Sequence, residues 1–283
     1  MSIESIHTED RIFHPNKQLS KNSRVKDLAQ YQKLCESYKS DYEGTWGKLA
    51  NDLLIWDKPF TKILDDSTPP FYKWFDDGKL NASYNCLDRH VDTQPNKTAI
   101  IFEADDGNVT KVTYQELYER VCQFSNGLKT LNLNIGDRVI IYLPMGIEAI
   151  VAMQACVRLG LTHSVVFGGF SAKSLQERIS DTAAKLVITS DGQFRGGKVI
   201  PLKSAIDDAI EMGGCESIEK VIVFNRTNEP FDKNDRDIMW DDLIRNQSTE
   251  CPPVSVPAEH PLFILYTSGS TGKPKGSRPK LLS

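Results

Sequence analysis

The stretch Leu262–Gly276 reads LFILYTSGSTGKPKG and decides how the rest of the chain is interpreted. An apolar run leads into a loop of Gly, Ser and Thr, and two lysines follow. In α/β proteins, ligands lie beyond the carboxyl ends of the strands, and a glycine-rich loop there turns backbone N–H groups toward phosphate oxygens. The stretch therefore predicts a phosphate-binding loop at the end of a buried strand, with hydroxyl donors from Ser268, Ser270 and Thr271 and positive charge from Lys273 and Lys275.

This loop differs from the Walker A loop of many nucleotide-binding proteins. The Walker pattern requires glycine at the position of Thr267 and Ser or Thr at the position of Pro274. Pro274 would also interfere with a helix that starts directly after the loop. A flexible surface loop is the alternative interpretation, and the apolar strand ahead of the loop argues against it.

Upstream of this loop, from about residue 91, apolar runs rich in Val and Ile alternate with helical patterns. Strands that are buried on both faces read as continuous apolar runs. The alternation therefore predicts an α/β fold with a mainly parallel sheet covered by helices. We expect strands at Thr98–Glu103, Val109–Thr113, Arg138–Leu143, His163–Val166, Lys185–Thr189, Lys220–Phe224 and Pro261–Tyr266, and helices at Tyr114–Leu131, Gly146–Leu159, Ser171–Asp181, Val199–Glu211 and Asp241–Asn246.

Residues 1–90 have a different texture, polar and rich in aromatic side chains. Amphipathic helices are predicted over residues 24–38 and 44–55, and strong strand signals are lacking. We interpret residues 1–90 as a helical N-terminal cap whose aromatics pack onto the domain that follows. The predicted organisation is thus a cap over 1–90, a partial α/β nucleotide-binding domain over 91–276 and a short tail over 277–283.

Charge and hydropathy limit the partners of the chain. Its formal net charge is −4 and hydrophobic residues make up 40% of it, and a mildly acidic chain gives no electrostatic reason to expect nucleic acid as a partner. The N-terminus lacks the basic start and apolar core of a signal peptide. The most apolar segment, Ile147–Leu161, is interrupted by Glu148 and Arg158, so no membrane span is expected either.

The six cysteines are widely scattered, without the close pairs of zinc sites or redox motifs. Scattered single cysteines predict reduced thiols and a cytoplasmic protein. The histidines show no metal-ligand spacing, so we expect no metal to be held by protein ligands of this chain. His90 and His163 are expected to be hydrogen-bonded residues at the sheet edge rather than catalytic groups.

A second segment with possible chemistry is Asp191–Pro201, DGQFRGGKVIP. Arg195 and Lys198 flank two glycines, so two cations project from a place where a ligand can approach the backbone, which suits a phosphate group. On composition alone, a solvated basic turn is favoured over a ligand site at this segment. A third candidate, Phe167–Ser171, is either a ligand-facing turn or a purely structural connection in which Ser171 caps a helix.

The order YTSGSTGKPKG at Tyr266–Gly276 resembles the signature of the adenylate-forming superfamily, which includes acyl-CoA synthetases, luciferases and nonribosomal adenylation domains. In that superfamily the loop holds the β- and γ-phosphates of ATP and then the leaving pyrophosphate. The resemblance implies that the ATP phosphates are bound by Thr267, Ser268, Gly269, Ser270, Thr271, Gly272 and Lys273.

Two further stretches, WFDDGKLN at Trp74–Asn81 and SYNCLDRH at Ser83–His90, resemble AMP-forming acetyl-CoA synthetases. The resemblance extends from about residue 30 to Gly276. It implies acetate, ATP and CoA as substrates, with Mg²⁺ bridging the phosphates. In this family the nucleotide of CoA lies at the segment that matches Arg195, Gly196, Gly197 and Lys198. The matching Phe167–Ser171 turn lies near the pantetheine tunnel, and we leave it outside the predicted site.

The resemblance implies a reaction in two steps. Acetate attacks the α-phosphorus of ATP to give acetyl-AMP and pyrophosphate, and the thiol of CoA then attacks the acyl carbon and expels AMP. Cations and donors positioned around the phosphates would be the main source of catalysis. Two alternatives stay open: a propionate or other short-chain acyl-CoA synthetase, and a non-catalytic remnant that binds CoA or nucleotide.

After Gly276 the chain no longer resembles the family, and it continues as Ser277–Ser283. A frameshift, a truncated gene and an added sequence are all possible origins of this tail. Family members carry the acyl pocket, the adenine and ribose motifs, the magnesium carboxylate and the catalytic lysine beyond this point. We therefore expect no catalytic residue and no magnesium ligand in this chain, and an inactive, poorly stable polypeptide when it is alone.

Overall fold

The structure is a computed structural model that describes Arg11, residues 13–267 and residues 275–277. The chain divides into two compact units, one up to Leu54 and one from Ile55 onward. The domain boundary expected at residue 90 stays a prediction.

The first unit is helical, as expected. It consists of α1 (Lys17–Asn22), α2 (Leu28–Ser40) and α3 (Tyr42–Leu53). Helices α2 and α3 confirm the helices predicted over residues 24–38 and 44–55. N-capping side chains determine where both helices begin. The carboxylates of Asp27 and Asp41 accept hydrogen bonds from the first-turn N–H groups of α2 and α3. The rings of Tyr38 and Trp46, 5.5 Å apart between centroids, pack these two helices together.

The second unit is α/β. Its strands are β1 (Leu64–Asp65), β2 (Lys73–Trp74), β3 (Lys79–Leu80), β4 (Thr98–Glu103), β5 (Val109–Thr113), β6 (Arg138–Tyr142), β7 (Thr162–Val165), β8 (Leu186–Ser190), β9 (Gly192–Arg195), β10 (Lys198–Pro201), β11 (Lys220–Phe224), β12 (Asp237–Met239), β13 (Val256–Pro257), β14 (Leu265–Thr267) and β15 (Lys275–Ser277). Its helices are α4 (Ala82–Cys86), α5 (Asp88–Val91), α6 (Tyr114–Lys129), α7 (Ile147–Arg158), α8 (Ala172–Thr182), α9 (Lys203–Glu211) and α10 (Trp240–Ile244).

The centre of this unit is a five-stranded sheet in the order β12-β11-β8-β6-β7, and every pair of neighbours in it is parallel. The mainly parallel sheet that the Val/Ile-rich runs predicted is therefore confirmed. Numbered by their order in the sequence, the five strands lie as 2-1-3-4-5 from the β7 edge, a doubly wound arrangement.

Both faces of the sheet are covered. Alternate residues of each strand point to opposite sides, so each strand contributes side chains to two cores. Val139 and Ile141 of β6 belong to a core that includes side chains of α6 and α7. Ile140 and Tyr142 of the same strand belong to a second core with α8 and α9. On the first face, the rings of Phe124 and Trp240 stack with centroids 3.8 Å apart and join α10 to α6.

Two elements differ from the prediction. The helix expected over Val199–Glu211 is wrong in its first turn, because Lys198–Pro201 pairs with Gly192–Arg195 as a hairpin and the helix begins only at Lys203. The strand expected at Pro261–Tyr266 becomes regular only at Leu265. Ahead of it, the chain runs beside β7 through an isolated bridge between His163 and Phe263.

The part of the expected cap that lies after Ile55 packs within the second unit. The rings of Trp56, Phe60 and Phe75 form one cluster, with centroid distances between 4.5 and 5.7 Å. Short two-residue strands occur here despite the weak strand signal, and β3 pairs with β13. These three rings pack against one another, and the expected packing of the cap's aromatics onto the domain that follows stays a prediction.

Candidate functional site

The site is built at the carboxyl ends of the parallel strands. Because β6, β7 and β8 run in the same direction, the segments that follow them emerge at one edge of the sheet. The strand order reverses between β6 and β8, which is where open α/β sheets bind ligands. Two sequence candidates lie there: Phe167–Ser171 follows β7 and Asp191–Pro201 follows β8.

Asp191–Pro201 forms a tight hairpin rather than an irregular loop. Arg195 of β9 is directly opposite Lys198 of β10, so only Gly196 and Gly197 connect the strands. Both glycines have positive φ, +57° and +73°. A two-residue turn with positive φ at both positions matches the twist of the flanking strands and is the form in which glycine is favoured.

This geometry places two cations on one face of the hairpin. Side chains of directly opposite residues in an antiparallel pair point to the same side. Arg195 and Lys198 are such a pair, and both are exposed. Like charges in this relation repel each other and destabilise the hairpin. A bound anion would offset the repulsion, so the arrangement suits a phosphate group.

The base of the hairpin is fixed by the buried carboxylate of Asp191. It accepts hydrogen bonds from the backbone N–H groups of Arg226, Thr227 and Glu229, which follow β11, and from the Thr227 hydroxyl. Burial acts to raise the pKa of Asp191, but these hydrogen bonds and one from the Gly192 N–H outweigh it, so the pKa is lowered. The hairpin is thereby tied to two neighbouring strand ends.

The Phe167–Ser171 turn is held against the same sheet edge. The hydroxyl of Tyr142, at the end of β6, donates to the Phe170 carbonyl at 3.0 Å and accepts from the Gly169 N–H at 3.1 Å. The side-chain amide of Gln193 donates to the Gly168 carbonyl at 2.8 Å. Burial raises the pKa of Tyr142, which keeps the hydroxyl protonated and able to donate.

The turn and the hairpin are in direct contact. The guanidinium carbon of Arg195 lies 5.4 Å from the centroid of the Phe167 ring, within cation–π range. A Cβ atom at Gly169 would come within 3.3 Å of Nη1 of Arg195, so the absent side chain leaves room for the guanidinium. The structure therefore brings the second and third sequence candidates together. Ser171 also caps α8, as the structural interpretation of the turn expects, by accepting from the Ser174 N–H.

The predicted phosphate loop is described only at its two ends. Thr267 closes β14 and pairs with Lys275 of β15, so the strands bring the ends of the loop together. The remaining predicted phosphate ligands, Ser268, Gly269, Ser270, Thr271, Gly272 and Lys273, lie outside the described residues. The chain that leads to β14 is fixed to β7, because the Ile264 N–H donates to the His163 carbonyl and the Ser164 hydroxyl donates to the Ile264 carbonyl.

Tyr266, the residue before Thr267, contacts α8. Its hydroxyl donates to the Asp181 carboxylate at 2.5 Å. The guanidinium carbon of Arg178 lies 5.0 Å from the centroid of the Tyr266 ring and 4.9 Å from that of Phe170. Beside these contacts lies a cavity of about 370 Å³ that is also lined by Lys173 and other residues of α8.

Sequence reasoning missed four residues that shape the site: Tyr142, Gln193, Arg178 and Asp181. Gln193 lies inside the quoted hairpin segment, but an amide beside two glycines and two cations carries little signal. Tyr142 ends an apolar strand and reads as core. Arg178 and Asp181 lie in a predicted amphipathic helix, where charged residues are normally solvated, and nothing in their spacing indicates an aromatic partner far away in the sequence.

The two histidines have different surroundings. Nδ1 of His90 is 3.3 Å from the side-chain amide of Gln94, as expected for a hydrogen-bonded residue. For His163 the expectation is wrong, because its buried Nδ1 has no hydrogen-bond partner among the described residues. The ring is enclosed between strand neighbours, and burial lowers the pKa of His163 to about 4.

Within the described part of the chain, no group of three or more His, Cys, Asp or Glu residues could hold a metal ion. No helix among residues 13–267 is both long and apolar enough to cross a bilayer.

Comparisons with known proteins agree with this fold. Residues 31–86 match the acetyl-coenzyme A synthetase N-terminus, and residues 87–277 match the AMP-binding enzyme family. The chain is 58% identical to an acetyl-coenzyme A synthetase of Methylobacillus flagellatus and 57% identical to that of Thiobacillus denitrificans. Each match covers 97% of this chain but 42% of the relative, so the chain spans about two fifths of the length of these proteins.

A solved structure has the same fold. The acetoacetyl-CoA synthetase from Streptomyces lividans superimposes with a TM-score of 0.83 at 24% sequence identity, over 94% of this chain and 41% of that one. At this identity the likeness establishes the fold alone. The family match covers well over half of the chain and includes both the hairpin and the ends of the phosphate loop. This chain therefore belongs to the AMP-binding enzyme family and carries in front of it the N-terminal region of acetyl-coenzyme A synthetases.

Proposed function

We propose that this chain provides the CoA-nucleotide and ATP-phosphate sites of an AMP-forming acetate–CoA ligase, which makes acetyl-CoA, AMP and pyrophosphate from acetate, ATP and CoA through acetyl-AMP. Support comes from family membership and from relatives that are named acetyl-coenzyme A synthetases. Because the chain spans 42% of those relatives, what we assign to its own residues is ligand binding.

The observation that carries the proposal is the hairpin tip with Arg195 and Lys198 side by side. Two exposed cations on a two-residue turn would form a fork for a phosphate group, since charge-assisted hydrogen bonds are stronger than neutral ones. The backbone of Gly196 and Gly197 has no side chains that would block a ligand. We assign these four residues to a phosphate of the CoA nucleotide.

Thr267 and the segment from Ser268 to Lys273 are assigned to the β- and γ-phosphates of ATP. The described ends of this segment support the assignment, since β14 and β15 close it into a loop next to the sheet. ATP would enter with Mg²⁺, whose charge offsets the phosphate charge when bound. The chain's own part is to supply N–H, hydroxyl and lysine donors around the phosphate oxygens.

The proposed partners are the small molecules acetate, ATP and CoA. We place the protein in the cytoplasm, which is supported by six cysteines that are all free of disulfides in the structure.

Titration of CoA into the chain, followed by isothermal titration calorimetry, tests the CoA site. Arg195→Ala and Lys198→Ala should each weaken CoA binding by about tenfold or more, since each removes a charge-assisted hydrogen bond. Lys111→Ala, at an exposed lysine of the β4–β5 hairpin, is the matched control and should leave the affinity for CoA unchanged. If Arg195→Ala and Lys198→Ala bind CoA as tightly as the unmodified chain and the control do, the assignment of the hairpin to CoA is refuted.

A comparison of CoA with 3′-dephospho-CoA identifies the phosphate that is recognised. If the hairpin binds the 3′-phosphate, dephospho-CoA binds the unmodified chain as weakly as CoA binds Arg195→Ala. Acetate-dependent exchange between ATP and pyrophosphate should be absent from the pure chain, and a measurable exchange rate would show that the chain is catalytic by itself.

A further inference from the structure

Helix α8 lies between the two proposed ligand sites. Its N-terminal end continues from the Phe167–Ser171 turn, which contacts Arg195. Near its C-terminal end, Asp181 accepts a hydrogen bond from the hydroxyl of Tyr266 at 2.5 Å. Tyr266 directly precedes Thr267, the first of the proposed phosphate ligands. One helix therefore contacts the entrance of the phosphate loop and the turn on the CoA side.

Arg178 joins the two contacts. Its side chain is only 7% exposed, and its Nη1 donates to the carbonyl and the hydroxyl of Ser174, both at 2.8 Å. These bonds fix the guanidinium between the ring of Phe170, at 4.9 Å, and the ring of Tyr266, at 5.0 Å. A cation in contact with two aromatic rings attracts both, more strongly when it is withdrawn from water.

We propose that Arg178 and Asp181 are positioning residues that set β14, the strand that leads to the proposed phosphate ligands, relative to the CoA-side turn. Asp181 fixes the phenol of Tyr266 and so the backbone from which the loop starts. Arg178 ties that phenol to Phe170, whose turn is in contact with Arg195. The inference rests on the proposed function and deepens it, because it names residues that contact neither ligand yet fix the groups that do.

The exposure of Asp181 and Tyr266 distinguishes a positioning role from a general contribution to stability. Asp181 is exposed and Tyr266 is half-buried, so their hydrogen bond is accessible to water. Such a bond contributes only modestly to the free energy of folding. Its loss should leave the chain folded while releasing the side chain of Tyr266, and a binding geometry that is loosened by even 1 Å loses much of its function.

The test is calorimetric titration of magnesium pyrophosphate and, separately, of CoA into the full chain and its variants. Tyr266→Phe and Asp181→Ala should each weaken pyrophosphate binding by about tenfold and leave CoA affinity within about twofold. The double variant should bind no more weakly than either single one, because both remove the same bond. Asp181→Asn keeps an oxygen acceptor and should restore most of the affinity. Asp208→Ala, at an exposed aspartate of α9, is the matched control.

Arg178→Met tests the link between the two loops. The methionine side chain is similar in length to arginine but carries no charge, so we expect this variant to weaken the binding of both pyrophosphate and CoA. The Asp181 variants should weaken the binding of pyrophosphate alone. Circular dichroism of each variant gives the folded fraction by which its affinity is corrected. The proposal is overturned if the unmodified chain binds pyrophosphate and the Tyr266 and Asp181 variants bind it equally well.

The titration of the unmodified chain also tests the proposed phosphate site itself. If the unmodified chain binds no pyrophosphate, the assignment of Thr267–Lys273 fails and the positioning role fails with it. If it binds CoA in the same experiment, the hairpin assignment survives.

Discussion

The guanidinium of Arg158 and the carboxylate of Asp88 form two parallel hydrogen bonds of 2.8 Å each. Arg158 is at the end of α7 and is 1% exposed, whereas Asp88 starts α5 and keeps 14% of its side-chain exposure. The Nε atom of Arg158 also donates to the carbonyl of Cys251, and its guanidinium lies over the Tyr118 ring. Three distant segments of the chain thus meet on one buried cation.

We expect Asp88→Ala to destabilise the fold by about 3 kcal/mol or more, because it leaves a buried arginine without its counter-charge. Arg158→Leu should cost less, since the carboxylate that remains is nearer to water. Urea unfolding followed by circular dichroism gives both free energies. A larger loss in Arg158→Leu than in Asp88→Ala would contradict this account of the pair.

The Gly196–Gly197 turn leads to a prediction about conformation and binding together. Alanine at Gly197, where φ is +73°, is strained by about 1–2 kcal/mol, whereas asparagine tolerates this region better. We expect Gly197→Ala to lose stability and CoA affinity, and Gly197→Asn to lose less of both.

The matched control for this turn is Gly136→Ala, which precedes β6 at the opposite end of the sheet, where φ is +84° and the space is open. It should lose stability to a similar degree without losing CoA affinity. Weakened CoA binding in the control would show that the effect at Gly197 is unspecific. Unfolding curves and calorimetric titrations of the three variants decide the question.

Buried His163 predicts a dependence of stability on pH. In the unfolded chain its pKa returns to the ordinary value near 6.5, while burial lowers the folded pKa to about 4. Between these values the unfolded state binds more protons, so stability falls as the pH drops from 6.5 toward 4, by roughly 3 kcal/mol in total. Asp191, whose pKa is also lowered, adds to the loss only at still lower pH, near the ordinary carboxyl range.

His163→Leu removes the titrating group and also a buried nitrogen without a partner. We expect it to fold at pH 7 with little change in stability and to flatten the stability profile between pH 6.5 and 4. Thermal unfolding at a series of pH values measures this. A variant that loses as much stability over that interval as the unmodified chain would rule His163 out as the cause.

Gly127 on α6 sets a packing constraint that overrides helix propensity. A Cβ atom there would come within 2.7 Å of the Leu243 side chain and 2.9 Å of its carbonyl oxygen. Alanine is the better helix former by about 1 kcal/mol, but overpacking costs about 1–3 kcal/mol. We expect Gly127→Ala to be destabilising in urea unfolding, while Arg120→Ala on the exposed face of α6 stays near neutral. A stabilised Gly127→Ala chain would show that α10 shifts freely.

Several elements could be predicted because their causes are local. Residues 221–224 are apolar without interruption, and an apolar run this short is typical of a strand covered on both faces. At the start of α6, the side chain of Thr113 accepts from the Glu116 N–H while Glu116 accepts from the Thr113 N–H, so the helix begins where the sequence places its cap. The proximity of Arg195 and Lys198 could be predicted for the same reason, since only two residues separate them.

The prediction of secondary structure failed where the local sequence is compatible with two conformations. Val199–Pro201 suits either the first turn of a helix or the return strand of a hairpin. The two glycines ahead of it adopt positive φ and fold it back onto β9, so the ladder of backbone hydrogen bonds decides the outcome. His163 was misjudged for a related reason, because a polar residue at the end of a strand gives no indication of what encloses its ring.

By itself, the sequence determined the alternation of strands and helices and the cations beside the glycine pair, because each depends on neighbours within a few residues. The phosphate loop after β14 stays a prediction. Only the tertiary structure decided that Phe167 lies against Arg195, that Asp181 holds Tyr266 and that Asp88 neutralises Arg158. These partners lie 28, 85 and 70 residues apart in the chain. They meet because the parallel strands are ordered 2-1-3-4-5, an order that is fixed by packing of both sheet faces at once rather than by any single segment.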